Sequence, residues 1–279
     1  MNCYSDIVNY FVVNLKSVYQ EKDCENLAFW SIHSVLGINR SELLMNKNTP
    51  LKTEDVVVFQ NIIKQLLTNK PIQYVLEECE FYNLNFKVNS NCLIPRPETE
   101  ELVHWILKEN PKSILDIGTG SGCIAICLAK YSSAKVSAMD ISYEALSLAK
   151  QNASSNNVDV EFIEANILES KQVFPKYDLI VSNPPYVLES EKLQMKTNVL
   201  EFEPHLALFV EDDESLVFYE KIIDFAVSHL HNGGSLFFEI NEQKAANIAQ
   251  LLEENNFENI LIKKDMQGKD RMIKAMMKL

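Results

Sequence analysis

The chain has 279 residues, 47% of them hydrophobic and 23% charged, and carries a formal net charge of -13 at pH 7. That make-up is ordinary for a globular protein of one large domain with room for a smaller one. No run approaches the roughly 18 uninterrupted apolar residues of a membrane-spanning helix, and the acidic balance counts against a phosphate-binding nucleic-acid protein, since no basic patch stands out. The amino terminus, "MNCYSDIVNY", has no basic region followed by an apolar core, so it does not read as a signal peptide, and a cytoplasmic location is expected.

The first seventy or so residues have helical rather than strand spacing. In "DIVNYFVVNLKSVYQ", Ile7, Tyr10, Phe11, Leu15 and Tyr19 recur at helical steps. "ENLAFWSIHSVLG" repeats the pattern and ends on Gly37, a carboxyl-terminal cap. "TEDVVVFQNIIKQLLTNK" predicts a third helix, capped by Thr53 and stopped before Pro71. Trp30 and His33 read as packing residues within this helical domain.

"EFYNLNFKVNSNCLI" then alternates around "NSN", which predicts a β-hairpin turning near Ser90. "PRPETEELVHWILKEN" follows as a helix with Pro97 in its first turn. From about Ser113 the rhythm becomes strand, helix, strand, helix. The strands are "SILDI", "KVSAMD", "VEFIEA", "YDLIVS" and "SLFFEI", with helices near 122–131, 142–155, 213–231 and 242–255. The tail "ENILIKKDMQGKDRMIKAMMKL" adds two strands joined at Gly268, making seven. The expected class is α/β, a mostly parallel seven-stranded sheet covered on both faces. The expected division is a helical domain over 1–78, a hairpin linker over 79–95 and the α/β domain over 96–279. The acidic run "EDDE", Glu211 to Glu214, reads as a solvated helix start.

The six cysteines show no C-x-x-C pair and no metal-ligand spacing with histidine, so reduced thiols and no metal are expected. Cys123 and Cys127 share a helical face and read as buried thiols.

Of only seven glycines, three fall within five residues, in "LDIGTGSGCIA": Gly118, Gly120 and Gly122. They sit between the first strand and first helix of the α/β domain, where glycine lets backbone turn tightly against a ligand. A dinucleotide fingerprint would want a glycine where Cys123 stands. Asp140, ending the next strand, suits the ribose of either NAD or S-adenosylmethionine. Asp116 suits the cationic methionine end of S-adenosylmethionine and would repel a pyrophosphate, which favours S-adenosylmethionine.

"NPPY", Asn183 to Tyr186, ends the strand "YDLIVS", because proline cannot extend a sheet ladder. Beside a methyl donor the four residues suit a planar NH2 acceptor. The side-chain oxygen of Asn183 and the carbonyl of Pro184 can take its two N–H donors, and Tyr186 can pack over the planar group.

Together, "PIQYVLEECEFYNLNFKVNSNCLIPRPETEELV", "LDIGTGSGCIAICLA", "YDLIVSNPPY", "FEPHLALFVEDDESLVFYEKI" and "GKDR" resemble the HemK/PrmC protein-glutamine methyltransferases. The segment "IPRPETE" makes the likeness specific, since NPPY is shared with DNA adenine methyltransferases. The resemblance implies a Rossmann-like S-adenosylmethionine-dependent fold. It also implies, as substrate, the glutamine of the Gly-Gly-Gln motif in class 1 peptide chain release factors. The helical domain would help to recognise that partner. Carried over, Gly118, Thr119, Gly120, Ser121 and Gly122 wrap the methionine part, Asp140 binds the ribose, Asn166 and Ile167 lie by the adenine, and Ile141 also borders the cofactor. Asn183, Pro184, Pro185 and Tyr186 hold the glutamine amide, with Asn183 also beside the cofactor. Relatives commonly have Asp in place of Asn166, and glycine in place of Glu77 and Asn83. Asn83 tolerates a left-handed backbone, whereas Glu77 suggests a locally different turn. A monomer with no nucleic-acid or membrane partner is expected. The rival readings are a nucleic-acid adenine methyltransferase, a catalytically silent cofactor-binding module and an NAD oxidoreductase.

Overall fold

A computed structural model describes residues 1–169 and 172–279. The chain forms two compact units, one of Met1–Glu77 with Lys196–Phe202, the other of Glu78–Met195 with Glu203–Leu279.

The first unit is helical. Its helices are α1 (Ser5–Leu15), α2 (Glu21–Leu36), α3 (Arg40–Met45), α4 (Thr53–Leu66) and α5 (Ile72–Leu76). The apolar stripe read from the sequence is the buried one, with Ile7, Phe11 and Leu15 of α1 facing Phe59, Ile62 and Leu66 of α4. Phe11 and Phe59 meet edge to face at 6.1 Å, the arrangement their ring quadrupoles favour. Gly37 ends α2 at φ 67 and donates its N–H to the His33 carbonyl, as expected of that cap. Two expectations need correction. Thr53 is the first helical residue of α4 rather than its cap, a position held by Lys52 with no side-chain bond. Glu77 takes φ 58 as the left-handed cap of α5, the conformation a glycine would take, and so does not redirect the turn.

The second unit opens with the hairpin β1 (Glu78–Phe81) and β2 (Leu84–Lys87). Its turn is Tyr82-Asn83, both left-handed at φ 49 and 60, and not the expected turn near Ser90. Two left-handed residues match the twist of the flanking strands, and Asn83 adopts that conformation readily. Phe81 and Phe86 pack from the hairpin into this unit's own core, against Leu102, Val103 and Ile106.

Helix α6 (Pro97–Ile106) has Pro97 in its first turn, as expected. Then come β3 (Ser113–Ile117), α7 (Cys123–Tyr131), β4 (Lys135–Asp140), α8 (Tyr143–Ser155), β5 (Glu161–Glu164) and β6 (Tyr177–Ser182). Two short paired strands, β7 (Val187–Leu188) and β8 (Phe209–Val210), bracket α9 (Thr197–Phe202), the segment that belongs to the first unit. The chain closes with α10 (Val217–His229), β9 (Leu230–Glu239), α11 (Ala245–Glu254), β10 (Phe257–Lys264) and β11 (Asp270–Met277).

The seven strands run β10-β11-β9-β6-β3-β4-β5, parallel from β9 through β5 and antiparallel at β11 and β10. Adjacent strand residues point to opposite faces, so Ile114 and Leu179 join the core under α6 and α7, while Leu115 and Ile180 join that under α10 and α11. The strand order reverses at β3, which places the carboxyl ends of β4 and β6 on either side of it. A crevice outside such a switch point is where an open α/β sheet holds its ligand.

Candidate active site

A cavity of about 340 Å³ lies at that switch point, and every residue lining it belongs to the second unit. From the expected site it brings together Gly118, Thr119, Ser121, Asp140, Ile141, Asn166, Ile167, Asn183, Pro184 and Pro185. Gly120, Gly122 and Tyr186 do not line it.

The glycine loop is built as its composition implies. Gly118, Gly120 and Gly122 take φ 74, 54 and 83, a region costly for other residues. Gly122 also caps α7, and a Cβ there would lie 2.9 Å from Ile126 Cδ1 and 3.1 Å from Ala149 Cβ, so this glycine serves helix packing. Thr119 donates its hydroxyl to Asp116 Oδ2 at 2.6 Å. Asp116 is 0% exposed and lies off the cavity wall, behind Thr119. Burial pushes its carboxyl up to about 7 despite the Thr119 bond.

Asp140, at the end of β4, joins the glycine loop to the turn before α8. Oδ2 accepts the Gly120 N–H at 2.8 Å and Oδ1 the Ser142 N–H at 2.9 Å. Burial still holds its carboxyl above the usual range. Each oxygen keeps a second acceptor position for a ligand hydroxyl. Across the cavity, Asn166 Oδ1 accepts the Leu168 N–H at 3.0 Å, which orders the turn after β5 and leaves one lone pair on that oxygen.

Asn183 leaves β6 with its Nδ2 directed at Thr99 Oγ1, 3.4 Å away, and Thr99 donates to Glu239 Oε2 at 2.6 Å. Tyr186 lies outside the cavity lining and donates its hydroxyl to Glu239 Oε1 at 2.9 Å. Arg271 reaches the same hydroxyl at 3.5 Å and is anchored by Asp265 at 3.2 Å. Burial raises the Glu239 carboxyl, while bonds from Thr99 and Tyr186 and the charge of Arg271 oppose that rise.

Several contributors lie outside the residues singled out from sequence. Thr99, from "IPRPETE", and Arg271, from "GKDR", belong to segments quoted for their likeness without a role. Arg96 donates to Glu203 Oε1 at 2.6 Å, and Glu203 Oε2 accepts the Ile94 N–H at 3.1 Å. That pair ties the "IPR" and "EPH" segments together along the cavity wall. Asn152, buried in α8, binds both backbone groups of Lys87 and the Ser121 carbonyl. It joins hairpin to glycine loop. Cys123 is half-buried on the cavity wall, and burial raises its thiol well above the usual range. Among the described residues no group of three or more histidine, cysteine or carboxylate side chains is placed to hold a metal, and no helix is long and apolar enough to cross a membrane.

Comparison with known proteins agrees with this architecture. Family models match residues 97–202 as a methyltransferase small domain and residues 7–76 as a PrmC N-terminal domain. A release factor glutamine methyltransferase of Flavobacterium psychrophilum is 48% identical, over 95% of this chain and 96% of its own. One from Bacteroides thetaiotaomicron is 41% identical, over 96% of this chain and 98% of its own. The crystal structure of a methyltransferase from Pyrococcus furiosus superposes with a TM-score of 0.56 at 19% identity, over 77% of this chain and 98% of its own, a likeness of fold. With near end-to-end identity of this order, the chain is a methyltransferase and belongs to the release factor glutamine methyltransferase family.

Proposed function

We propose that the protein transfers a methyl group from S-adenosylmethionine to the side-chain amide nitrogen of the Gly-Gly-Gln glutamine of class 1 release factors. The observation that carries this reading is that Asn183 and Pro184 line the same cavity as Asp140 and the glycine loop, so an acceptor and a donor would meet inside one enclosure. The residues present fit the cofactor. Asp140 retains acceptor positions for two ribose hydroxyls, Ile141 and Ile167 offer apolar surface to an adenine, and Gly118 and Thr119 leave the loop open to the methionine end. When bound, S-adenosylmethionine supplies an electrophilic methyl on a sulfonium.

The chain's own part is positioning. An amide nitrogen is a poor nucleophile because its lone pair is delocalised. Asn183 Oδ1 and the Pro184 carbonyl would accept its two N–H groups, hold it in line and favour pyramidalisation. Holding reactants in this way contributes on the order of 7–11 kcal/mol. Among the described residues lining the cavity, Asp140 is the sole carboxylate and no histidine or lysine is present, which suits proton loss after methyl transfer. The Tyr186 hydroxyl is held by Glu239, which fixes the end of the motif that follows Asn183. The helical unit is read as the part that recognises the release factor, and the protein as a cytoplasmic monomer. A nucleic-acid adenine methyltransferase is not favoured, given the acidic charge and relatives that match over nearly the whole chain.

The test is a methylation assay with purified protein, S-adenosylmethionine and a release factor, read by peptide mass spectrometry. One added methyl on the Gly-Gly-Gln glutamine is expected. Asn183→Ala should lower turnover by at least about 10²–10³-fold, with cofactor affinity within several-fold, while Asp140→Ala should weaken cofactor binding first. Near wild-type turnover in Asn183→Ala would overturn the amide clamp, and a methyl on another residue would overturn the substrate.

A further inference from the structure

We propose that Glu239 and Thr99 are positioning residues that fix which end of the Asn183 amide faces the cavity, and so make the site select a side-chain amide over a carboxylate. The inference deepens the reading above and rests on it.

The two ends of an asparagine amide have nearly the same shape and opposite hydrogen-bonding character, so only a neighbour can decide which one points where. For Asn183 that neighbour is Thr99 Oγ1 at 3.4 Å. A threonine hydroxyl has one hydrogen, and this one is taken at 2.6 Å by Glu239 Oε2, a carboxylate that, when ionised, only accepts. Thr99 is left with lone pairs alone toward Asn183. It can face only the NH2 end, and the Oδ1 end remains for the cavity. An oxygen there accepts from the NH2 of a glutamine and repels the oxygens of a glutamate.

The other oxygen of Glu239 sets the far end of the same motif. Tyr186 donates to Oε1 at 2.9 Å, and Arg271 donates toward the Tyr186 oxygen. Every hydrogen in the chain from Asn183 through Thr99, and from Arg271 through Tyr186, therefore points toward one carboxylate. Glu239 is 1% exposed and ends β9 beside the end of β6, where Phe238 pairs with Ser182. Neither Glu239 nor Tyr186 lines the cavity, so their part in the reaction is exerted through Asn183 and the backbone that follows it. Replacing Glu239 by glutamine puts an NH2 group among two hydroxyls that both donate. One hydroxyl must then turn its hydrogen elsewhere. If it is Thr99, the hydrogen meets Asn183, whose amide rotates and presents NH2 to the cavity.

The test uses the full chain with S-adenosylhomocysteine bound, and compares Thr99→Val, Thr99→Ser and Glu239→Gln with the wild type. The first readout is independent of substrate: contacts between the Asn183 side-chain NH2 hydrogens and the Thr99 side chain, followed by NMR on protein labelled at asparagine. They are expected in wild type and Thr99→Ser, and their absence in the wild type overturns the proposal. The second readout is binding of a release factor whose motif glutamine is replaced by glutamate, relative to the unaltered factor. Thr99→Val and Glu239→Gln should narrow that preference by about tenfold or more and lower kcat by about 10²-fold, with S-adenosylhomocysteine affinity unchanged within about twofold. Thr99→Ser, which keeps the hydroxyl, should restore both. Loss of turnover with an unaltered glutamine-to-glutamate preference would mean that these residues only support the fold, and would overturn the proposal. A wild type that shows the NMR contacts and yet methylates no release factor would instead refute the proposed substrate. If Glu239→Gln does not fold, the threonine pair decides the question alone.

Discussion

At Asp116 two physical effects pull in opposite directions. Its carboxyl is fully buried, Oδ1 has no hydrogen-bond partner, and Thr119 donates to Oδ2. Burial wins and lifts the group from 3.8 to about 7. Because the folded-state value is the raised one, the folded chain binds more protons than the unfolded chain between these limits. The associated stability is fully present below pH 3.8 and is lost as pH rises through about 7. The difference corresponds to about 4 kcal/mol. Asp116→Asn has no charge to bury there, so denaturant unfolding of this variant should fall less steeply between pH 4 and pH 7.5 than that of the wild type. Parallel curves for the two proteins would show that Asp116 does not titrate in this window. The sequence shows an acidic residue before the glycine loop, but not that the helix behind it removes water from that residue. Chemistry is legible from residue type, whereas desolvation depends on what packs on top.

At the scale of elements, the glycine loop, β4 and the end of β6 were readable because each uses residues with few alternatives. Three left-handed glycines, a carboxylate at a strand end and two prolines that stop a ladder all say where the chain must turn. In the hairpin, "NSN" has stronger turn chemistry than Tyr82-Asn83, yet the turn forms at the latter because Phe81 and Phe86 face the core. Asn152 and Glu239 left no local signal. Asn152 bonds residues 31 and 65 positions away in the chain, and the side chain of Glu239 bonds residues 53 and 140 away. The three glycines are also not equivalent. Nothing lies within 4 Å of a Cβ on Gly120, so Gly120→Ala should cost only left-handed strain, about 1–2 kcal/mol. Gly122→Ala adds a clash with Ile126 and Ala149 between α7 and α8, and should cost about 2–4 kcal/mol in urea unfolding. Equal losses would mean that α7 and α8 can part freely at this point, against the close packing seen there.

For the molecule as a whole, the two units have separate cores, and that separation makes ligand effects predictable. The helical unit buries Ile7, Phe11, Leu15, Phe59 and Leu66 among themselves, while every residue on the cavity wall comes from the α/β unit. A ligand that binds only the folded form stabilises what it binds by an amount set by its concentration over its Kd, about 2.7 kcal/mol at a hundredfold excess. S-adenosylhomocysteine at that excess should slow amide exchange in the α/β unit, most of all from Gly118 to Ile124, from Met139 to Ser142 and from Ala165 to Leu168, where loop and strand ends meet the cavity. Amides of α1 and α4 should exchange at the same rate with and without it. The Asp140→Ala variant should lose the protection at the same ligand concentration, because the carboxylate that holds Gly120 and Ser142 is gone. Protection that spreads equally into α1 and α4 would show that the two units open together, and that cofactor binding in one is felt as stability in the other.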